Sequence, residues 1–459
     1  MSATAGAAPV LAVSIGLTSL FLMSLFFTRN GGEHLPVLLC LLFFDYLFVC
    51  HATFRTRDFT EASIDGQVIG RVTIAVCLLA YLSVLYLFNS AAFRQSLMQT
   101  ATWTLALFVS IGAIYSLTPQ YTFVCGVMYL SVTITTIVLC NLIGPLRTFA
   151  LVCYSMSALM IASGAQLLLF AEQAYIIEYV AGGGFVERFR GLFLHPVQLG
   201  NGLAPIVIYY VYIQQQQGGR VSVGLVGWGC AALVAFIMIL EANSRVSLVS
   251  LVISCAFLLV ARYRWVAVLG LSFLVISMIV ILAANFNAVA RAVTRSGDVS
   301  ELFTFTGRTD VWAFAWPLIT EAPLLGYGYG STRVLFQDLP AMLGWTASHA
   351  HNMWLQGILE VGVLGVLIMM APFVSVVLAG MRLRNALLGA LALQLLVRSA
   401  TEVVLFFYIP GVSTALFAIA VALTSRGLHQ SGRETSCRGG HQRQFTSATN
   451  EIPWPKPTS

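Results

Sequence analysis

The chain is a near-unbroken succession of apolar runs, each close to the length that carries a helix across a bilayer. A hydrocarbon core of about 30 Å takes roughly 20 apolar residues at the helical rise. Candidate runs fall near residues 9–27, 35–50, 69–88, 103–118, 121–143, 148–170, 198–214, 222–240, 246–261, 265–284, 353–380, 385–406 and 409–424. Lipid offers the backbone no water, so each run must satisfy its own amides and carbonyls, which a helix does. The predicted fold class is all-α: a polytopic transmembrane helix bundle of about 12–13 spans over residues 1–424, with a long, partly helical outward loop.

Composition agrees. With 58% hydrophobic and 9% charged residues and a mean hydropathy of +0.86, an ordinary soluble domain is excluded. The first run has no basic segment before it and no small-residue cleavage pattern after it, so it reads as a retained helix. The formal charge of +6 comes from arginines in short loops and the tail, a pattern of membrane orientation that implies no nucleic-acid partner. Eight cysteines, Cys40, Cys50, Cys77, Cys125, Cys140, Cys153, Cys230 and Cys255, fall in or beside apolar runs, and Cys437 lies in the tail. None is paired in metal-ligand spacing, so they read as small packing residues, without disulfide or zinc.

In the second half, Arg220, Arg262, Arg264, Arg382, Arg384 and the tail arginines Arg426, Arg433, Arg438 and Arg443 share one side when spans alternate, and the positive-inside rule makes that side cytoplasmic. The two longest interruptions, 172–197 and 285–352, then face outward. The same alternation puts Arg55 and Arg57 outside, against the rule, so one of the first six spans is miscounted. From Ser425 the apolar character stops, and 425–459 reads as a disordered cytoplasmic tail.

A long loop without secondary structure of its own is usually functional, and 285–352 carries Arg291, Arg295, Arg308, Asp310, Arg333, Asp338, His349 and His351. Trp312, Phe314 and Trp316 suit a half-embedded helix, anchoring at the interface or lining a lipid or sugar groove, and Pro323-Leu-Leu-Gly326-Tyr-Gly-Tyr-Gly330 follows as a turn. Ser348-His-Ala-His351-Asn352 leads into an apolar helix. Imidazole titrates near neutrality, so His351 or His349 could take a proton from a sugar hydroxyl. Gly362 and Gly365 would let a neighbouring helix pack closely beneath.

Arg188, Arg190 and Arg245 also fall on the predicted outward side, against the usual charge bias. Each could be ion-paired, to Glu187, Glu241 or Asp310. Taken together, they suit an anionic ligand, because the guanidinium fork donates parallel hydrogen bonds to phosphate. Arg398 and Glu402 lie four apart in a late run and read first as an intramembrane pair, second as substrate contacts.

Between residues 186 and 366 the chain resembles the O-antigen ligase and polysaccharide polymerase superfamily. His351-Asn352, nine residues and Gly362-Val-Leu-Gly365 are similar to its histidine signature, and Arg190-Gly-Leu-Phe-Leu194 to its Arg-x-x-x-Leu motif. Gly307-Arg308-Thr-Asp-Val-Trp312 with Pro323-Leu-Leu-Gly326-Tyr-Gly resembles the exopolysaccharide polymerase branch, and Ser244-Arg245 matches another recurrent arginine.

The resemblance implies an inverting glycan transfer at the periplasmic face of a bacterial inner membrane, without metal or cofactor. It implies an undecaprenyl-pyrophosphate-linked glycan as donor and a glycan or the lipid A core as acceptor, with membrane lipids around the site and a chain-length regulator protein as a further candidate partner. Catalytic roles fall to His351, His349 and Arg308, and pyrophosphate or substrate binding to Arg190, Arg245, Arg188 and Asn352. Two other readings stand beside ligase or polymerase: a protein O-oligosaccharyltransferase, and a flippase or transporter of a lipid-linked oligosaccharide. A transporter would hold its charges near the bilayer midplane, whereas a transferase would gather both outward loops at one pocket.

Overall fold

The computed structural model describes residues 35–53, 64–94, 97–180, 184–218, 221–263, 307–339, 347–382 and 385–438. The expected runs at 9–27 and 265–284, the loop stretch 285–306, Arg55, Arg57, Arg220, Arg264, Arg384 and the tail beyond Arg438 lie outside the described residues. In chain order the helices are α1 Leu35–His51, α2 Gly66–Phe88, α3 Leu97–Ile111, α4 Pro119–Leu142, α5 Pro145–Leu169 and the short α6 Ala171–Ala174. An antiparallel hairpin, β1 Tyr175–Val180 and β2 Gly184–Phe189, precedes α7 Pro196–Gln216, α8 Val223–Glu241 and α9 Arg245–Tyr263. Then come α10 Arg308–Glu321, the short α11 Thr332–Leu335, α12 Met353–Arg382, α13 Ala386–Ser399 and α14 Val412–Arg438.

The fold is the expected helix bundle. Eleven of the thirteen apolar runs coincide with a helix, and among the described residues seven helices are long and apolar enough to cross a membrane. Their starts carry legible signals: Asp65, Ser222 and Asn385 accept amide hydrogen bonds from Val68, Leu225 and Leu388, and proline opens α4, α5 and α7. α14 is the hub, packed against α3, α4, α5, α7, α12 and α13, and from Val412 to Ala422 it is buried on nearly every side, as an all-round apolar helix should be.

Three features depart from the sequence reading. The loop at 172–197 contains a β-hairpin, which hydropathy alone does not mark. The boundary at Ser425 is a change of composition inside one helix, because α14 continues to Arg438. In the outward loop, α10 buries the stripe Val311, Ala315 and Ile319 in a second apolar cluster with Phe336, Leu339 and Leu359, while Trp316 stands 60% exposed.

The largest departure is in α12. Gly362 has φ 65° and ψ −177°, so the helix breaks there. The break frees backbone groups, and the segment 323–328 takes them. The Tyr327 and Gly328 amides donate to the carbonyls of Leu359 and Glu360 at 2.8 and 2.9 Å, and the Val363 and Leu364 amides donate to Pro323 and Leu324 at 2.9 and 3.3 Å. Gly362 therefore serves the kink and the clip; Gly365 alone keeps the close-packing role, against Phe108 of α3.

A Cβ at Gly362 would lie 2.1 Å from the Leu324 carbonyl oxygen. Gly362→Ala should destabilise the protein by about 3 kcal/mol or more, from left-handed strain and overpacking together. Gly224→Ala, where a Cβ meets nothing within 4 Å, should cost nothing. Thermal unfolding of the two purified variants in detergent compares them.

Candidate active site

The site forms where four stretches of chain meet. Thr53, just past α1, donates its amide to Leu192 at 2.6 Å, and Ala52 bridges to Phe193, which brings His51 beside the start of α7. His195 caps α7: its Nδ1 accepts from the Val197 amide at 3.1 Å. At the start of α12, Asn352 Oδ1 accepts from Trp354 and Leu355 while its Nδ2 donates to the Ala400 carbonyl at 2.9 Å, joining α12 to the end of α13. Asn352 is thus a brace and does not line the cavity, so its expected substrate role is replaced by a structural one.

Between these stretches lies a cavity of about 110 Å³ lined by His51, His195, His349, His351, Arg398 and Glu402, with an apolar wall from Val403 to Val412. His195 comes from the 172–197 loop, and the two adjacent histidines from 285–352. Residues of the two long loops therefore meet at one pocket.

Its polar core is a chain of contacts. Arg308 Nη2 donates to Glu402 Oε1 at 2.7 Å, and Glu402 Oε2 lies 3.9 Å from His351 Nδ1. The His351 and His349 rings are 4.1 Å apart between centroids, and His349 Nδ1 lies 3.0 Å from Ser348 Oγ. His351 holds a φ of 48°, a strained value for a side-chain-bearing residue. What holds it is the turn around it: Trp312 Nε1 donates to the Ala350 carbonyl at 2.8 Å, and the Ala350 amide donates to Gln356 Oε1 at 2.8 Å. Gln356 Nε2 in turn donates at 2.7 Å to both Thr332 and Glu360, all three side chains being buried.

Burial lowers His351 below the ordinary imidazole range, with Glu402 opposing the fall and Arg308 adding to it. Burial and then His351 take His349 well below that range. Burial pushes the Glu402 carboxyl up, but Arg308 and the histidines outweigh it and hold the group below the usual carboxylate values. The cluster is a neutral imidazole pair beside a carboxylate that stays ionised.

His349, His351 and Glu402 each offer a ligand atom within 4.8 Å of the others. A tetrahedral ion about 2.0–2.1 Å from its ligands needs donors roughly 3.3 Å apart, and Arg308 already holds Glu402. As arranged, with Glu402 engaged by Arg308, the three form an acid–base cluster.

The other predicted arginines are distributed differently. Arg188, 1% exposed, pairs with Glu178 on β1 and donates to the carbonyls of Ala242 and Asn243 at 3.0 and 3.3 Å, fixing the hairpin to the α8–α9 turn. That replaces its expected pyrophosphate role with a structural one. Arg190 is 9% exposed, with an Nε that has no hydrogen-bond partner, and Arg245 opens α9 half-buried; neither lines the cavity. Arg333 is buried with its guanidinium 3.8 Å from the Tyr408 ring centroid. Glu402 follows the end of α13 at Ser399 with its amide still donating to the Arg398 carbonyl at 2.8 Å, while its carboxylate is bonded to Arg308 and lies 3.9 Å from His351. His195 and His51 escaped the sequence reading; His195 had one signal, a capping side chain just before Pro196.

The family model described as O-antigen ligase matches residues 230–370. The matched segment holds Arg245, Arg308, His349 and His351, while Arg398, Glu402, His195 and His51 come from outside it. No curated protein matches the chain. Among the described residues seven apolar helices are long enough to cross a membrane, so the protein is a multi-pass membrane protein, and its residues 230–370 are similar to the O-antigen ligase family.

Arg188 and Arg308 thus differ in kind. Arg188→Ala removes one of two partners of Glu178, whose other carboxylate oxygen lies 2.7 Å from His195 Nε2, along with two bonds to carbonyls, and should cost about 3 kcal/mol of stability. Arg188→Lys should recover little of it, since one ammonium cannot reach Glu178 and two carbonyls in the guanidinium's planar arrangement. Denaturant unfolding followed by intrinsic tryptophan fluorescence measures both.

Proposed function

We propose that this protein transfers a glycan from a polyprenyl-pyrophosphate carrier, undecaprenyl pyrophosphate by resemblance, to a hydroxyl of a second surface glycan or of the lipid A core, at the periplasmic face of the inner membrane. The observation that carries the reading is the chain Arg308–Glu402–His351 at a cavity to which both outward loops contribute. A transporter has no use for a strained, carboxylate-backed imidazole.

His351 is the base. Glu402 backs it at 3.9 Å, whereas His349, which burial takes further below the ordinary imidazole range, is the poorer proton acceptor. The acceptor hydroxyl gives its proton to His351 as its oxygen attacks the anomeric carbon. The bond from that carbon to the pyrophosphate oxygen breaks with inversion, and the electron pair leaves on the pyrophosphate. Glu402 steadies the imidazolium, and Arg308, Arg190 and Arg245 offset the charge growing on the leaving group. The chemistry needs no metal.

The test follows release of polyprenyl pyrophosphate from a glycan-loaded carrier by purified protein in vesicles. His351→Ala should abolish release with folding kept, and Arg308→Ala should slow it about a hundredfold, with Lys a poor substitute. A chelator should leave the rate unchanged. Normal turnover by His351→Ala, or carrier movement without cleavage, sinks the transferase reading.

The pH profile adds a sign. The base works when neutral, so activity should fall with acid only below the ordinary histidine value of about 6.5. Glu402 raises the His351 pKa and Arg308 lowers it. Glu402→Gln should therefore move the acid limb to lower pH, and Arg308→Ala should move its residual activity to higher pH. Shifts in the same direction would contradict the assignment of His351.

A further inference from the structure

Arg398 sits in the last turn of α13, lines the cavity and is 1% exposed. Its Nη2 donates to Ser413 Oγ at 3.2 Å, while Nε and Nη1 are buried without a hydrogen-bond partner. A guanidinium cannot lose its proton to escape burial, so these donors remain charged and lack an acceptor. His51, from α1, lines the same cavity. Its Nε2 accepts from the Val412 amide at 3.0 Å, which in the neutral ring leaves the proton on Nδ1, also buried and unpartnered. Two residues from opposite ends of the chain thus place three donor atoms, and no acceptor for them, in the wall of one cavity.

The charges point the same way. Among the described residues, the cavity has two cations beside it, Arg308 and Arg398, and the carboxylate of Glu402, whose Oε1 is held by Arg308. Arg188 and Glu178 offset each other. An excess positive charge in a partly desolvated site favours an anion.

We propose that Arg398 and His51 form an anion subsite for a phosphate-class group, additional to the arginines of the family motifs, none of which lines this cavity. The free Nε and Nη1 point from different edges of the guanidinium and, with the imidazole donor of another element, can serve separate oxygens of a multi-oxygen anion, which suits a phosphate-class group better than a planar carboxylate. For the source of the phosphate, the inference rests on the glycan-transfer reading: it is the carrier's pyrophosphate or a phosphate on the acceptor.

The test is isothermal titration of the full-length protein in detergent with inorganic pyrophosphate at low ionic strength. Wild type should bind, Arg398→Met should bind about tenfold to a hundredfold more weakly, and Arg398→Lys should recover only part of the loss. If Arg398→Met does not fold, His51→Gln carries the test from another element and should weaken binding several-fold. Displacement by polyprenyl pyrophosphate places the donor's leaving group in the subsite, and displacement by a phosphorylated acceptor glycan places the acceptor there. No binding by wild type, wild-type binding by both Arg398→Lys and His51→Gln, or displacement by glucuronate at lower concentration than by either phosphate overturns the proposal. Release of carrier pyrophosphate, measured in parallel, separates the two claims. If wild type releases it while Arg398 variants bind pyrophosphate normally, the subsite alone fails; if pyrophosphate binding depends on Arg398 but nothing is released, the transfer reading alone fails.

Discussion

The structure around the cavity depends on a helix broken at Gly362 and repaired by another piece of chain. Interrupting a helix in an apolar setting leaves amides and carbonyls with no water to take them, and such breaks persist only where protein supplies the missing partners. Here the 323–328 clip does so through four backbone bonds. It can approach that closely because Gly326, like Gly362, has positive φ and no Cβ, and a Cβ on Gly326 would sit 2.6 Å from the Leu359 carbonyl oxygen. The same clip runs on to the α3–α4 turn, where the Leu117 amide donates to Tyr327 at 3.0 Å and Thr122 Oγ1 donates to Tyr329 at 2.7 Å, and Tyr329 donates its hydroxyl to Phe407 in the cavity wall. One interlock therefore sets the first half of α12, the loop cap and the wall of the cavity relative to one another.

That rigidity is what makes the acid–base cluster tenable. A carboxylate as buried as Glu402 is costly unless paired, and a left-handed backbone at His351 is costly unless its surroundings fix it. Arg308, at the first turn of α10, supplies the pairing. The buried Gln356, Thr332 and Glu360 hydrogen bonds supply the fixing, because they hold the Ala350 amide one residue before His351. The loop cap, with its own apolar cluster, is thus part of the machinery that aims the imidazole.

How much of this the sequence disclosed follows from which forces are local. Spans were legible because hydropathy acts within a single run of about twenty residues. The histidines and Arg308 stood out through motif spacing. Gly362 was visible but misassigned, since a glycine in an apolar helix serves close packing or positive φ, and only the partner segment decides. Helical spacing placed Glu402 beside Arg398, and its amide does bond the Arg398 carbonyl, but the carboxylate's direct partner, Arg308, comes from a distant loop that spacing on one helix cannot reveal. Arg188 and Arg308 look alike in sequence; what separates them is the position of Glu178 on a hairpin that carries no hydropathy signal and of Glu402 in a turn nearly a hundred residues away.

The remaining asymmetry of the cavity is electrostatic. Burial lowers the His349 and His351 imidazoles, the Glu402 carboxylate is held by Arg308, and Arg398 adds a second positive charge beside an apolar wall. A neutral sugar hydroxyl entering such a site gains hydrogen bonds but does nothing for the charge, whereas negative charge developing on a leaving pyrophosphate is stabilised more as the reaction proceeds. Interactions that strengthen along the reaction coordinate lower the barrier, and those equally strong at its start do not. A cavity rich in donors and short of acceptors is therefore better matched to the departure of an anion than to the resting glycan, and the base at its edge needs only modest strength.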